Sequence, residues 1–376
     1  MDGLIDIKAK RNLYRKLKKH WPKHIEQLLR NIYDIYLDRF LYKKMLIKCV
    51  EKQNPDIIYE RLTYFHCASR CVAKRYNLPY IIEIHTPLSI IPVQSWKKLA
   101  QKIYLNNSKS ADAIIVISTV LKKELHNYGI PPNKIHVIPN AADTNLLNNI
   151  DKNVCALKKK YELENKIVIG FVGSMEIYHG VDFFIEAAGM LSKKFNHLKY
   201  ILIGPFPKKH EKERIQNLIN MNNLCNEVII VGTVPHDEVN NYISAIDICV
   251  LPSRDNWYGS PIKLFEYGIM KKPIVSSRFL PIEEIFEGNK NILFFEPGNV
   301  DDFIDKIIKL VDDPIKRKKL GEGAYRKVVN FHTWDKNADK IIEICNDIIL
   351  KREKNWKQEN DNRDSRRIGF WKNFIS

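Results

Sequence analysis

No apolar run in the 376-residue chain approaches the roughly 18 residues that a membrane-crossing helix needs, so no such helix is encoded. The amino end lacks an apolar stretch followed by a small-residue cleavage site. That leaves no secretory signal and makes the cytoplasm the expected compartment. The seven cysteines are odd in number, scattered and mostly inside apolar runs, which suits reduced core thiols. Cys67 and Cys71 share a helical face beside His66, but a metal needs more ligands than this cluster supplies. Neither a metal nor another cofactor is expected. No helix-turn-helix, zinc-finger or RNP-like pattern accompanies the positive charge, which argues against a nucleic-acid partner.

What is present is ordinary globular composition, 45% hydrophobic and 28% charged, in a chain long enough for two α/β domains with full cores. The net charge of +17 gathers at the ends: residues 1–50 hold 13 Lys and Arg against 5 Asp and Glu, and residues 351–376 hold 8 against 4. Near the amino end Leu13, Leu17, Trp21, Ile25, Leu28, Ile32, Tyr36 and Phe40 recur at helical spacing among Lys and Arg. Such a helix can lie on an anionic membrane, where each basic residue contributes about 1 kcal/mol, or it can cover the protein's own core. The charged tail 351–376, with Trp356, Phe370, Trp371 and Phe374 as isolated aromatics, reads as a loose appendage or a peripheral helix.

From residue 55 short β-branched runs alternate with helical patterns. Candidate strands are Asp56–Tyr59, Tyr80–Ile84, Ala113–Ile117, Ile135–Ile138, Ile167–Val172, Tyr200–Ile203, Val228–Val231, Asp247–Leu251, Ile274–Ser276 and Ile292–Phe295. Unbroken apolar strands in βαβ alternation predict parallel sheets buried on both faces. The rhythm lapses between Ala142 and Lys166, which predicts a basic helical leader (1–50), a first Rossmann-like domain (51–145), a second (146–335), a C-terminal helix (336–350) and the tail (351–376).

The richest stretch runs from Arg254 to Glu266, between two apolar runs. A strand, a polar loop and a helix opened by Ser260-Pro261 is how an open α/β sheet presents N–H groups to a phosphate. Lys263 and Glu266 then lie three apart, one able to reach a phosphate and the other to accept from vicinal ribose hydroxyls. The plainer alternative is a capped surface helix with a solvated charge pair. A second turn of the same kind follows Ile167–Val172: Gly173-Ser174, then His179-Gly180, then a helix from Val181. Small residues directly after a strand let a ligand approach the backbone.

Six blocks in order carry a resemblance over roughly residues 55–350: Pro55-Asp-Ile-Ile-Tyr-Glu-Arg61, Glu83-Ile-His-Thr-Pro87, Ala111–Ser118, Val137–Asp143, Gly170–Ser174 with His179-Gly180, and Ser260–Tyr267. The chain resembles the retaining GT-B glycosyltransferases of family 4, also called group 1. That resemblance implies two Rossmann-like doubly wound domains facing a cleft, with an acceptor side in the first and a nucleotide sugar in the second. It implies that Glu266 binds the ribose and that Gly173, Ser174, His179, Gly180, Arg254, Ser260, Pro261, Lys263 and Leu264 line the donor site. It gives His85 a catalytic part at the donor sugar. Lys263, with Arg254 the best diphosphate clamp that the chain's own residues leave, is the other expected catalytic group, and Arg61, right after a strand, is expected with Glu83 on the acceptor side. Glu83 either orients Arg61 or forms a simple ion pair with it. Metal is generally not required, since helix dipoles and cations stabilise the leaving diphosphate.

The chain departs from the family pattern at three places. Tyr258 stands where an acidic residue often lies eight positions before the ribose Glu, Glu176 where a basic residue often follows the Gly-Ser turn, and His179 where a Lys often precedes the next Gly. The first convincing strand comes only at Asp56, so the first domain is either reduced or lacks its true beginning. The expected activity is transfer of a sugar from a nucleotide diphosphate donor to a glycan or lipid-linked acceptor with retention, in cell-surface polysaccharide synthesis. The alternatives are a catalytically silent GT-B protein that binds a partner or a membrane, and a sugar-nucleotide epimerase.

Overall fold

The computed structural model describes residues 31–90, 96–147, 154–254 and 258–375. Two compact units emerge. The first takes the described residues up to Val116, then Leu121–Val137 and the stretch from Ile342; the second takes Ile117–Val120 and Ile138–Ile341. The chain therefore changes unit at Val137, ahead of the polar Ala142–Lys166 stretch. It returns to the first unit inside the C-terminal helix Trp334–Ile375, so residues 336–350 are not a separate element.

The first unit is built on a four-stranded parallel sheet in the order β1 (Ile58–Arg61), β2 (Tyr80–Ile84), β3 (Ala113–Val116), β4 (Ile135–Val137). Every β3 side chain is buried, as its run of Ala, Ile and Val requires in a sheet covered on both faces. Asp38 is buried and accepts from the N–H groups of Cys67 and Ala68, capping the helix Ala68–Tyr76 from a distant segment. Arg352 fixes the C-terminal helix to this unit. Its guanidinium donates to both carboxylate oxygens of Asp112 and to the Asn77 carbonyl, while Asp112 accepts the Tyr80 N–H.

The second unit holds a six-stranded parallel sheet in the order β10 (Leu293–Phe295), β9 (Ile274–Ser277), β8 (Ile248–Leu251), β5 (Ile167–Val172), β6 (Leu198–Ile203), β7 (Val228–Gly232). From β5 the chain winds outward through β6 and β7, then returns to β8 and winds the other way. The β5/β8 boundary is thus the topological switch point, beyond whose carboxyl ends a doubly wound sheet opens a crevice. Buried rings contribute to its core, with Phe183 and Phe295 stacked 5.7 Å apart and Phe295 and Phe303 tilted at 4.9 Å. Both units are Rossmann-like. No helix among the described residues is long and apolar enough to cross a membrane. Of the basic leader, Leu13, Leu17, Trp21, Ile25 and Leu28 lie outside the described residues, as do the side chains of the tail aromatics.

Candidate active site

Gly173 directly follows β5 at φ +144°, with its N–H donated to the Ile203 carbonyl. A side chain there would have its Cβ 2.5 Å from Lys263 Nζ. Gly180, at φ +68°, passes so close to the carboxyl end of β8 that a Cβ would meet the Pro252 carbonyl oxygen at 2.0 Å. Only glycine allows either approach, and the two turns bring the ends of β5 and β8 together.

Into this place projects Lys263 from the helix Ile262–Ile269. Its Nζ is shielded from solvent, sits 4.3 Å from the centroid of the Phe171 ring, and has no hydrogen-bond acceptor among the described residues. Burial pulls its pKa down to about 7, against the opposing attraction of Glu266. A buried cation without an acceptor is costly unless an anion arrives. Glu266, one turn on, is pushed up by burial, opposed by His236 and then Lys263. The helix is held to β5 by Tyr267, whose buried hydroxyl accepts the Val172 N–H at 2.8 Å.

The remaining candidates are placed less simply. His179 is buried beside Phe171 and Tyr178, and burial, then Lys263, depresses it to about 3. It is a neutral ring and supplies no cation for phosphate. Arg254 reaches Asp182 at 3.3 Å and Glu186 at 3.0 Å on the helix Val181–Lys194, so its charge is already partnered there. Ser260 is buried and does not cap the helix; its hydroxyl accepts the Asn140 N–H, and the helix starts after Pro261 instead. Leu264 is core, so only its backbone can meet a ligand. The side chain of Ser174 bonds Tyr178. Asp255–Trp257 lie outside the described residues.

In the first unit His85 follows β2 and bonds Glu83, whose other oxygen accepts the Tyr59 hydroxyl at 2.7 Å. The His85 bond, and secondarily that from Tyr59, holds the Glu83 carboxyl below its usual range despite burial. Arg61 pairs in register with Glu83 across β1 and β2 and contributes in the same direction. Glu83 thus orients His85 as well as facing Arg61. Among the described residues no group of three His, Cys, Asp or Glu gathers as a metal ligand set.

A family model described as glycosyl transferases group 1 matches residues 155–327, and one described as glycosyltransferase family 4 matches residues 8–146. The chain belongs to the group 1 glycosyltransferases. Its fold is GT-B. Among curated relatives, this glycosyltransferase is 23% identical to alpha-D-kanosaminyltransferase of Streptomyces kanamyceticus over 73% of its own length and 72% of the relative's. It is 24% identical to 2-deoxystreptamine N-acetyl-D-glucosaminyltransferase of Niallia circulans, over 79% and 78%. Anabaena HepE, crystallised with UDP, superposes with a TM-score of 0.70 over 81% of this chain and 82% of HepE, at 17% identity, a likeness of fold.

Sequence reasoning missed three groups in this glycosyltransferase. Phe171 beneath Lys263 looked like any apolar strand residue. His236, in the turn after β7, comes near Glu266 from a different part of the chain. Lys208, from the loop after β6, lies 3.9 Å from Glu176 and so brings a cation to the position where the family's basic residue is replaced by an acid. Only Lys208 left a trace in sequence, as the first cation after a strand-ending Gly-Pro.

Proposed function

We propose that the protein transfers a sugar from a nucleotide diphosphate sugar to a hydroxyl of a glycan or lipid-linked acceptor, with retention, in cell-surface polysaccharide synthesis. The observation that carries this reading is the Lys263 ammonium, buried at Gly173 without an acceptor. A diphosphate satisfies it, and the Glu266 carboxylate one turn on accepts from two ribose hydroxyls. The relatives named above are sugar transferases by name, and HepE was crystallised with UDP. As the glycosidic bond to the donor breaks, charge grows on the β-phosphate. Lys263 then neutralises it, and the departing phosphate takes the acceptor's proton from the same face. No protein base is required for that route.

Thermal shift against UDP-, GDP-, ADP- and CMP-linked sugars tests the donor, since a ligand at about 100 times its Kd stabilises by about 2.7 kcal/mol. Product anomeric configuration by NMR tests retention. One observation favours a second reading, a GT-B protein that binds nucleotide without turnover: Arg254, expected as a diphosphate clamp, is held by Asp182 and Glu186. A nucleotide shift with no product from any acceptor would select it, and product without acceptor would select an epimerase.

A further inference from the structure

The segment from residue 31 to Gln53 is helical throughout, with a π-helical turn at Leu37–Tyr42, and it packs against the helix Ala68–Tyr76. Asp38, which caps the Ala68–Tyr76 helix, and the buried Val50 make this contact, and the exposed Glu51 accepts from the Tyr76 hydroxyl. Ile32, Tyr36 and Phe40 follow one another at four-residue spacing and are 46, 58 and 64% exposed, with the Tyr36 and Phe40 rings 5.1 Å apart, and Met45 is 52% exposed one turn on. Covering a core accounts for Asp38 and Val50 but leaves this ridge unexplained. Arg39, Lys44 and Lys48 are exposed beside it, the two lysines following Phe40 at four-residue spacing.

We propose that this ridge docks the protein on an anionic lipid surface. Aromatic and aliphatic residues bordered by lysines are the composition of an interfacial helix, whose apolar side enters the headgroup boundary while its cations stay among the phosphates. Charge complementarity selects lipid over a second copy of the chain, because residues 1–50 carry 13 basic against 5 acidic residues and two such ends repel each other. The proposal is independent of catalysis, since a chain without turnover would dock equally well.

Cosedimentation of the full chain with phosphatidylcholine vesicles, and with vesicles that also contain phosphatidylglycerol, tests it. The expected result is binding to the anionic vesicles that falls steeply as salt rises. Tyr36→Ser with Phe40→Ser should weaken that binding by about tenfold for each ring, with melting temperature unchanged because both are exposed. Lys44→Glu with Lys48→Glu should weaken it and flatten its salt dependence. Equal binding to both vesicle types, binding to neither, or a ring variant that binds like the wild type would overturn the proposal. So would loss of a dimer in the ring variant without any vesicle binding, which would make the ridge an interface between copies.

Discussion

Lys263 Nζ stands 4.3 Å from the centroid of the Phe171 ring and meets no acceptor among the described residues. The ring face attracts the ammonium weakly, while burial disfavours its charge and sets its pKa at about 7. A buried ammonium with no acceptor is stabilised by any anion that reaches it.

Stability should carry the mark of that burial. The folded pKa of about 7 lies below the ordinary 10.5, so between those values the unfolded chain binds more protons and stability rises with pH; below 7 the penalty is fully present. Lys263→Met should therefore flatten the rise between pH 7 and 10.5 and be more stable than the wild type at pH 7, by about 1–4 kcal/mol. Urea titrations of both proteins across that window check it, and parallel curves would place the ammonium in water.

Glu266→Gln keeps the shape but loses the charge and one acceptor oxygen. Donor affinity should fall about tenfold or more, from some 1.4 kcal/mol, with the fold intact. An exposed partner of Lys263 would cost only about 0.3–0.5 kcal/mol, an effect too small to confuse with a ribose contact in calorimetry.

His85, bonded to Glu83 at the end of β2, belongs to the first unit, whereas Lys263 and Glu266 belong to the second. His85→Ala should remove most turnover and leave affinity for the bare nucleotide nearly unchanged. Steady-state rates together with nucleotide titration check this, and a collapse in nucleotide affinity would assign His85 a different role.

Tyr267→Phe removes the hydroxyl that accepts the buried Val172 N–H at 2.8 Å. An orphaned buried donor costs about 1–3 kcal/mol, which denaturant unfolding should read directly. A neutral result would mean that water replaces the hydroxyl.

All ten strands among the described residues were legible in sequence within about two residues, because most are short runs rich in Ile, Val and Leu, as a parallel sheet covered on both faces demands. Lys263, Glu266 and Gly173 were legible because strand, turn and helix follow one another locally. That the Ser260 hydroxyl accepts the Asn140 N–H was not legible, because Asn140 comes from the far side of the unit's sequence. Arg254 looked free for a phosphate because nothing local reveals Asp182 and Glu186 on an earlier helix. His236 and Phe171 acquire meaning only when the crossovers bring the strand ends together. Local chemistry was readable, and long-range pairing was not.

Calorimetric titration with UDP, GDP and ADP at pH about 8, in buffers of different ionisation enthalpy, decides whether Lys263 holds the diphosphate. A diphosphate on Lys263 should restore its full charge, so the wild type should take up about one proton per nucleotide bound, since its free ammonium titrates near 7. Lys263→Met should take up none and bind about tenfold or more weakly, the loss of one charge-assisted contact. Wild-type binding without proton uptake, or unchanged affinity in Lys263→Met, would contradict a diphosphate site at this lysine.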